Sequence, residues 1–171
     1  PADTRIRISE LMIKNHATLR AADGGFYDWV EIENVSDQEW NLSGWSLSDG
    51  VNKSGWEFPN VSVPAGGRIL VYAAGSAGGK EGLYADFALS AGETLCLKNP
   101  AGTVIASAEC STDRENAVLC LRDDGTYSET LYPTPGFPND PEGYDAWQNT
   151  LEAPDGLIIS EVMVENFLFL P

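Results

Sequence analysis

Asp28-Trp29-Val30-Glu31-Ile32-Glu33-Asn34 alternates apolar and polar side chains with a period of two. Successive strand side chains point to opposite faces, so this stretch reads as a β-strand with Val30 and Ile32 in a core and Glu31 and Glu33 in water. The same alternation puts Trp29 on the acidic side, where it is either covered by a loop or exposed. Similar short apolar runs, cut by Gly, Asn, Asp and Pro, fall at 5–13, 40–47, 67–74, 94–99, 103–108 and 116–122, and no long segment keeps a helical period. Asn99-Pro100-Ala101-Gly102 and Asp123-Asp124-Gly125 supply hairpin turns, because Gly and Asp tolerate the backbone that tight turns need. Seven short strands with such turns predict an all-β sandwich rather than a barrel.

The composition agrees with a single packed unit. At 171 residues the chain holds one domain, or one domain and an extension. Hydrophobic residues make up 43%, with five Trp, six Tyr and six Phe, enough to build a core. Ten Lys and Arg stand against 26 Asp and Glu, a net charge of −16. Phosphate contacts need cations, so this balance argues against nucleic acid and anionic lipid as partners. No apolar run approaches the roughly 20 residues of a membrane helix. The chain opens at Pro1 without Met or a signal peptide, and so reads as an excised or processed piece. Cys96, Cys110 and Cys120 allow at most one internal pair and read as small buried hydrophobes.

The chain also echoes itself. Ile8-Ser9-Glu10-Leu11-Met12-Ile13-Lys14-Asn15 returns as Ile159-Ser160-Glu161-Val162-Met163-Val164-Glu165-Asn166, five of eight positions identical. The second copy reads as the first strand of a further unit. This divides the chain into a sandwich domain at 1–140, a polar, Pro-containing linker at 141–156, and a repeated strand at 157–171. An unpaired apolar strand seeks an edge to complete. Ile158, Ile159, Val162 and Val164 are therefore expected to dock on this sandwich or on a neighbouring chain, even in the slot of 5–14, giving a strand-exchanged dimer.

Several segments in series carry a resemblance: Ile8-Ser9-Glu10-Leu11-Met12, Asp28 to Asn34, Leu42-Ser43-Gly44-Trp45-Ser46-Leu47-Ser48-Asp49, Trp56-Glu57-Phe58-Pro59, Pro64 to Gly75, Phe87-Ala88-Leu89-Ser90 and Thr134-Pro135-Gly136-Phe137-Pro138-Asn139. In this order the chain resembles the lamin-tail domain family from about residue 5 to 140. The resemblance implies an immunoglobulin-like β-sandwich of about seven to nine mainly antiparallel strands. It also implies a non-catalytic interaction or spacer module, found in nuclear lamins and in bacterial secreted or surface proteins. The sequence looks more like the bacterial branch, which implies an extracellular or cell-surface place beside other domains of one polypeptide. Its acidity argues against the chromatin role of lamin tails.

Catalytic chemistry finds little to work with. His16 is the only histidine, in a polar strand end, so no His-based metal cluster can form and any Ser-His-Asp triad would have to use it. Ala74-Gly75-Ser76-Ala77-Gly78 lacks the first Gly of a nucleophile elbow, and the stretch around Gly79-Lys80 lacks the Ser or Thr of a P-loop. No cofactor is expected from these patterns. Asp23, Asp28, Glu31 and Glu33 form the best local carboxylate group, since Gly24-Gly25 can fold Asp23 back toward the strand and offer oxygens to calcium. A solvated acidic face is the plainer reading. Trp29, Tyr144 and Trp147 are candidates for a sugar platform, because aromatic faces stack on the apolar faces of sugar rings. A protein or glycan partner would meet the module at its loops and edge strands.

Overall fold

The first strand breaks the alternation that its neighbour keeps. Inward-facing Ile6, Ile8, Leu11 and Ile13 all belong to the buried core, at spacings of two, three and two residues. In the computed structural model, which describes residues 5–77 and 81–151, β1 (Ile6–Met12) lies antiparallel to β2 (Asp28–Asn34). Ile8 pairs with Ile32 and Glu10 with Glu31, so Ser9 is an extra residue, a β-bulge. The bulge turns Leu11 and Ile13 inward where strict alternation would turn them out. β2 has no bulge, and Val30 and Ile32 reach the core as their spacing predicts.

Ten further strands follow: β3 (Trp40–Asn41), β4 (Ser46–Ser48), β5 (Trp56–Glu57), β6 (Ser62–Val63), β7 (Arg68–Ala73), β8 (Tyr84–Ala85), β9 (Thr94–Lys98), β10 (Val104–Glu109), β11 (Val118–Leu121) and β12 (Tyr127–Thr130). A six-stranded sheet runs β12-β11-β1-β2-β7-β8, a four-stranded sheet β10-β9-β4-β5, and β3 pairs with β6. Pairing is antiparallel except for β7 with β8. Val30, Ile32, Val71 and Leu119 from the larger sheet and Leu47, Leu95, Leu97 and Ala108 from the smaller one share one buried cluster, the interior of a β-sandwich. Trp45 is buried in it, while Trp40 and Trp56 pack against it partly exposed.

Each of the seven expected strands has a counterpart, and 40–47 divides into β3 and β4 around a turn in which Trp45 N–H donates to the Leu42 carbonyl. The sequence reading passes over β5, β6 and β8, two residues each, because so short a strand shows no period. It also passes over β12. Both expected hairpins form: Gly102 and Gly125 adopt φ of 77° and 83°, the left-handed backbone those turns require. The three cysteines are buried and free.

The expected linker at 141–156 begins as a helix, α1 (Pro141–Gln148). Asp140 caps it by accepting from Gly143 N–H at 2.7 Å, and Pro141 stands in its first turn, where a missing N–H costs nothing. Residues 152–171, including Ile158, Ile159, Val162 and Val164, lie outside the described residues.

Candidate functional site

The outer face of the larger sheet was expected to meet water, and the structure corrects this. Glu10 and Glu31 are 0% exposed and Glu33 is 6% exposed. They stand side by side because the Ser9 bulge brings Glu10 opposite Glu31, while Glu33 faces Arg7 on β1 and Arg68 on β7. A closing strap, residues 131–140, provides the donors that burial demands. Thr134 N–H donates to Glu10 at 3.0 Å and Gly136 N–H donates to Glu31 at 2.6 Å. Ser9 Oγ donates to Glu31 at 2.6 Å, and the Cys120 thiol reaches Glu10 at 3.5 Å.

The bulge is held from the same side. The Ile8 carbonyl accepts from the Tyr127 hydroxyl at 2.6 Å and the Ser9 carbonyl from Asn139 Nδ2 at 2.7 Å. Strap and bulge thus complete each other's hydrogen bonding.

Charge in this layer is nearly balanced. Glu33 accepts from Arg7 Nε at 2.6 Å and from an Arg68 Nη group, and Arg68 Nε lies 3.3 Å from Glu31 without the alignment of a hydrogen bond. Burial, reinforced by the neighbouring Glu31, pushes the Glu10 carboxyl up to about 8, and burial pushes Glu31 up to about 7. With Glu10 protonated, Glu33 and a partly ionised Glu31 face two guanidiniums. Glu10 and Glu31 are therefore committed to holding the strap on the sheet, and Glu33 to Arg7 and Arg68.

Beside the strap runs a groove. One part, about 520 Å³, lies between β11, β12, the strap and α1, with Cys120, Tyr132, Thr134 and Tyr144 in its wall. A second part, about 280 Å³, is lined by Arg7, Glu33 and Arg68; both parts share Arg122, Asn139 and Asp140. Leu131 and Tyr132 are exposed, the latter at 63%, and the Tyr132 ring meets Tyr144 edge-on at 5.2 Å. Among the described residues β12 is an edge strand, so its outer backbone groups stand beside this apolar mouth.

The residues singled out for other chemistry do not assemble. Asp28 accepts at 3.5 Å from Asn15 N–H and at 3.3 Å from Leu89 N–H. It lies on the opposite face of β2 from Glu31 and Glu33, since odd and even positions of a strand diverge. Asp23 is exposed, accepting from Gly25 N–H at 2.9 Å and from the Tyr27 hydroxyl at 3.1 Å. Among the described residues no three His, Cys, Asp or Glu side chains gather to hold a metal ion. The calcium group of Asp23, Asp28, Glu31 and Glu33 is thus dispersed by strand geometry.

Trp29, 0% exposed, packs with Met12, Val118, Cys120 and Leu19, so a loop residue covers it and it offers no face to a sugar. Trp147 is 5% exposed, and Tyr144, half-buried, turns toward the groove. The three aromatics do not make one platform. His16 lies at the surface, 3.7 Å from Glu115.

Sequence reasoning missed the role of Glu10, Arg68 and Asn139. The broken alternation at Ser9 was the available signal, since a bulge in a paired strand asks for donors from elsewhere.

No curated protein matches the chain. The family model of the lamin tail domain matches residues 1–112, from β1 through the end of β10 and just beyond. The chain belongs to the lamin tail domain family.

Proposed function

We propose that this chain is a non-enzymatic interaction and spacer module, one unit of a multidomain bacterial protein acting outside the cell. Membership of the family supports the coarse reading, because lamin tail domains are immunoglobulin-like interaction domains and generally not enzymes. The observation that carries it is how the buried acids are used. Glu10, Glu31 and Glu33, the carboxylates with buried surroundings suited to acid–base chemistry, are each bonded to the strap or to an arginine. A general acid or base needs a free path to a substrate proton; Glu10 and Glu31 are fully covered, and Glu33, which borders the smaller part of the groove, is held by Arg7 and Arg68.

Binding then falls to the edge of β12 and the groove between it and α1, where Leu131, Tyr132 and Tyr144 offer apolar contact beside a strand that is, among the described residues, the sheet's edge. The partner that suits this surface is an extended or exposed segment of protein, in a neighbouring domain of the same polypeptide or in another envelope protein. The acidic charge elsewhere keeps the module soluble and repels nucleic acid.

A photo-crosslinking residue in place of Tyr132, introduced in cells that make the protein, tests this. Adducts to protein are expected, and their loss with Leu131→Asp locates the surface. Turnover of a polysaccharide, phosphoester or peptide by the purified chain, abolished by one carboxylate substitution, would contradict the reading.

A further inference from the structure

The structure assigns a specific duty to nearly every residue of β1, and the later repeat carries the residues that perform those duties. Ile6, Ile8, Leu11 and Ile13 point into the core. At the same 2-3-2 spacing, which only a bulged strand can turn to one face, the later segment has Leu157, Ile159, Val162 and Val164. The bulge residue Ser9, which bonds Glu31, corresponds to Ser160, and Glu10, which receives Thr134, corresponds to Glu161. Met12, packed in the cluster around Trp29, corresponds to Met163. Asn15 donates to the carbonyls of Leu19 and Tyr27 at 2.6 and 2.8 Å and accepts from the N–H of Thr18 and Leu19; it corresponds to Asn166. Arg7, one of two arginines on Glu33, is the exception, replaced by Ile158.

We infer that residues 157–166 are a second β1, able to fill the slot between β2 and β11 of the same chain when the first β1 leaves it.

The tether permits this. Asn139 touches the Ser9 carbonyl at 2.7 Å, so the strap ends beside the slot. From there α1 carries the chain about 12 Å at ~1.5 Å per residue. The start of the slot, at Ile6, is three residues from Ser9, about 10 Å along a strand. Residues 149–151 continue α1 as a turn, with Thr150 N–H on the Trp147 carbonyl; once that turn opens, 149–156 span up to about 26 Å when extended, more than the roughly 22 Å required. The register then sets Glu161 opposite Glu31 and Cys120, as Glu10 is now. A strand tethered this closely competes at high effective concentration, so the intramolecular form prevails over exchange between two copies.

The test uses the full chain and two pairs of substitutions. Ile8→Asp with Leu11→Asp places two charges in the core side of β1 and expels it. Ile159→Asp with Val162→Asp does the same to the later strand. The chain with only the first pair is expected to keep a cooperative thermal transition, to remain a monomer by light scattering, and to gain hydrogen-exchange protection over 159–164. Adding the second pair is expected to abolish the transition. If the chains with one pair and with both pairs behave alike, folded or unfolded, residues 159 and 162 contribute nothing to the slot and the inference is overturned. A dimer formed by the first variant would overturn the intramolecular assignment.

Discussion

The two faces of the β1–β2 pair are equally buried and are built by opposite means. Toward the smaller sheet, Ile8, Leu11, Val30 and Ile32 meet other aliphatic groups, and burial of apolar area holds them. Toward the strap, Glu10, Glu31 and Glu33 meet backbone N–H groups and arginines, and each needs a particular partner. The inner face tolerates changes of shape at a graded cost. The outer face is stable only while its partners stay paired, because an unpaired buried charge has nowhere to dissolve.

The comparison is sharpest at Arg68, which faces both Glu31 and Glu33. Arg68→Ala is expected to cost roughly 3–5 kcal/mol in urea unfolding, as breaking a buried pair does. Leu11→Ala, on the inner face, is expected to cost about 3 kcal/mol through transfer and cavity terms. If Arg68→Ala proves nearly neutral while Leu11→Ala does not, the polar layer is a passive cover and the comparison fails.

A smaller effect, with an unusual sign, is expected where α1 sits on the strap. A Cβ on Gly143 would lie 1.9 Å from the Pro138 carbonyl oxygen, a backbone atom that cannot step aside. Helix propensity alone makes Gly143→Ala stabilising by about 1 kcal/mol. The close approach reverses this, and a loss of about 1–3 kcal/mol is expected from thermal unfolding. Asn139→Ala, which removes the donor to the Ser9 carbonyl, is expected to cost about 1 kcal/mol in the same measurement.

The sequence shows the inner face well and the outer face poorly, for a physical reason. Val30 and Ile32 announce their burial by period and by chemistry together, and so do the hairpins at Gly102 and Gly125. Glu31 and Glu33 share the period, but their chemistry suggests water, and the segment that covers them begins about a hundred residues later. Thr134 to Asn139 is legible as a motif, yet its target is fixed only by tertiary contact. The bulge at Ser9 is visible as a broken alternation in β1. Trp29 shows the limit from the other side: its position opposite the core was correctly read, and its cover by Leu19 depends on a loop. The start of α1 was readable from Asp140-Pro141-Glu142, a cap, a first-turn proline and an acid at the helix N-terminus.

The central claim is that Glu10 is buried as a neutral acid beneath the strap. Its carboxyl is raised from 4.5 to about 8, so the folded chain holds a proton that the unfolded chain has released over that interval. The stability this contributes is fully present below about pH 4.5 and is lost as pH rises through about 8; Glu31, raised to about 7, acts in the same direction. The most direct measurement is unfolding free energy against pH from 6 to 9, for the natural chain and for Glu10→Gln, whose amide keeps the neutral form at every pH. The account predicts that stability of the natural chain falls across this range and that Glu10→Gln flattens the fall. A natural chain whose stability stays level or rises between pH 6 and 8, or a Glu10→Gln chain with an unchanged slope, would contradict it.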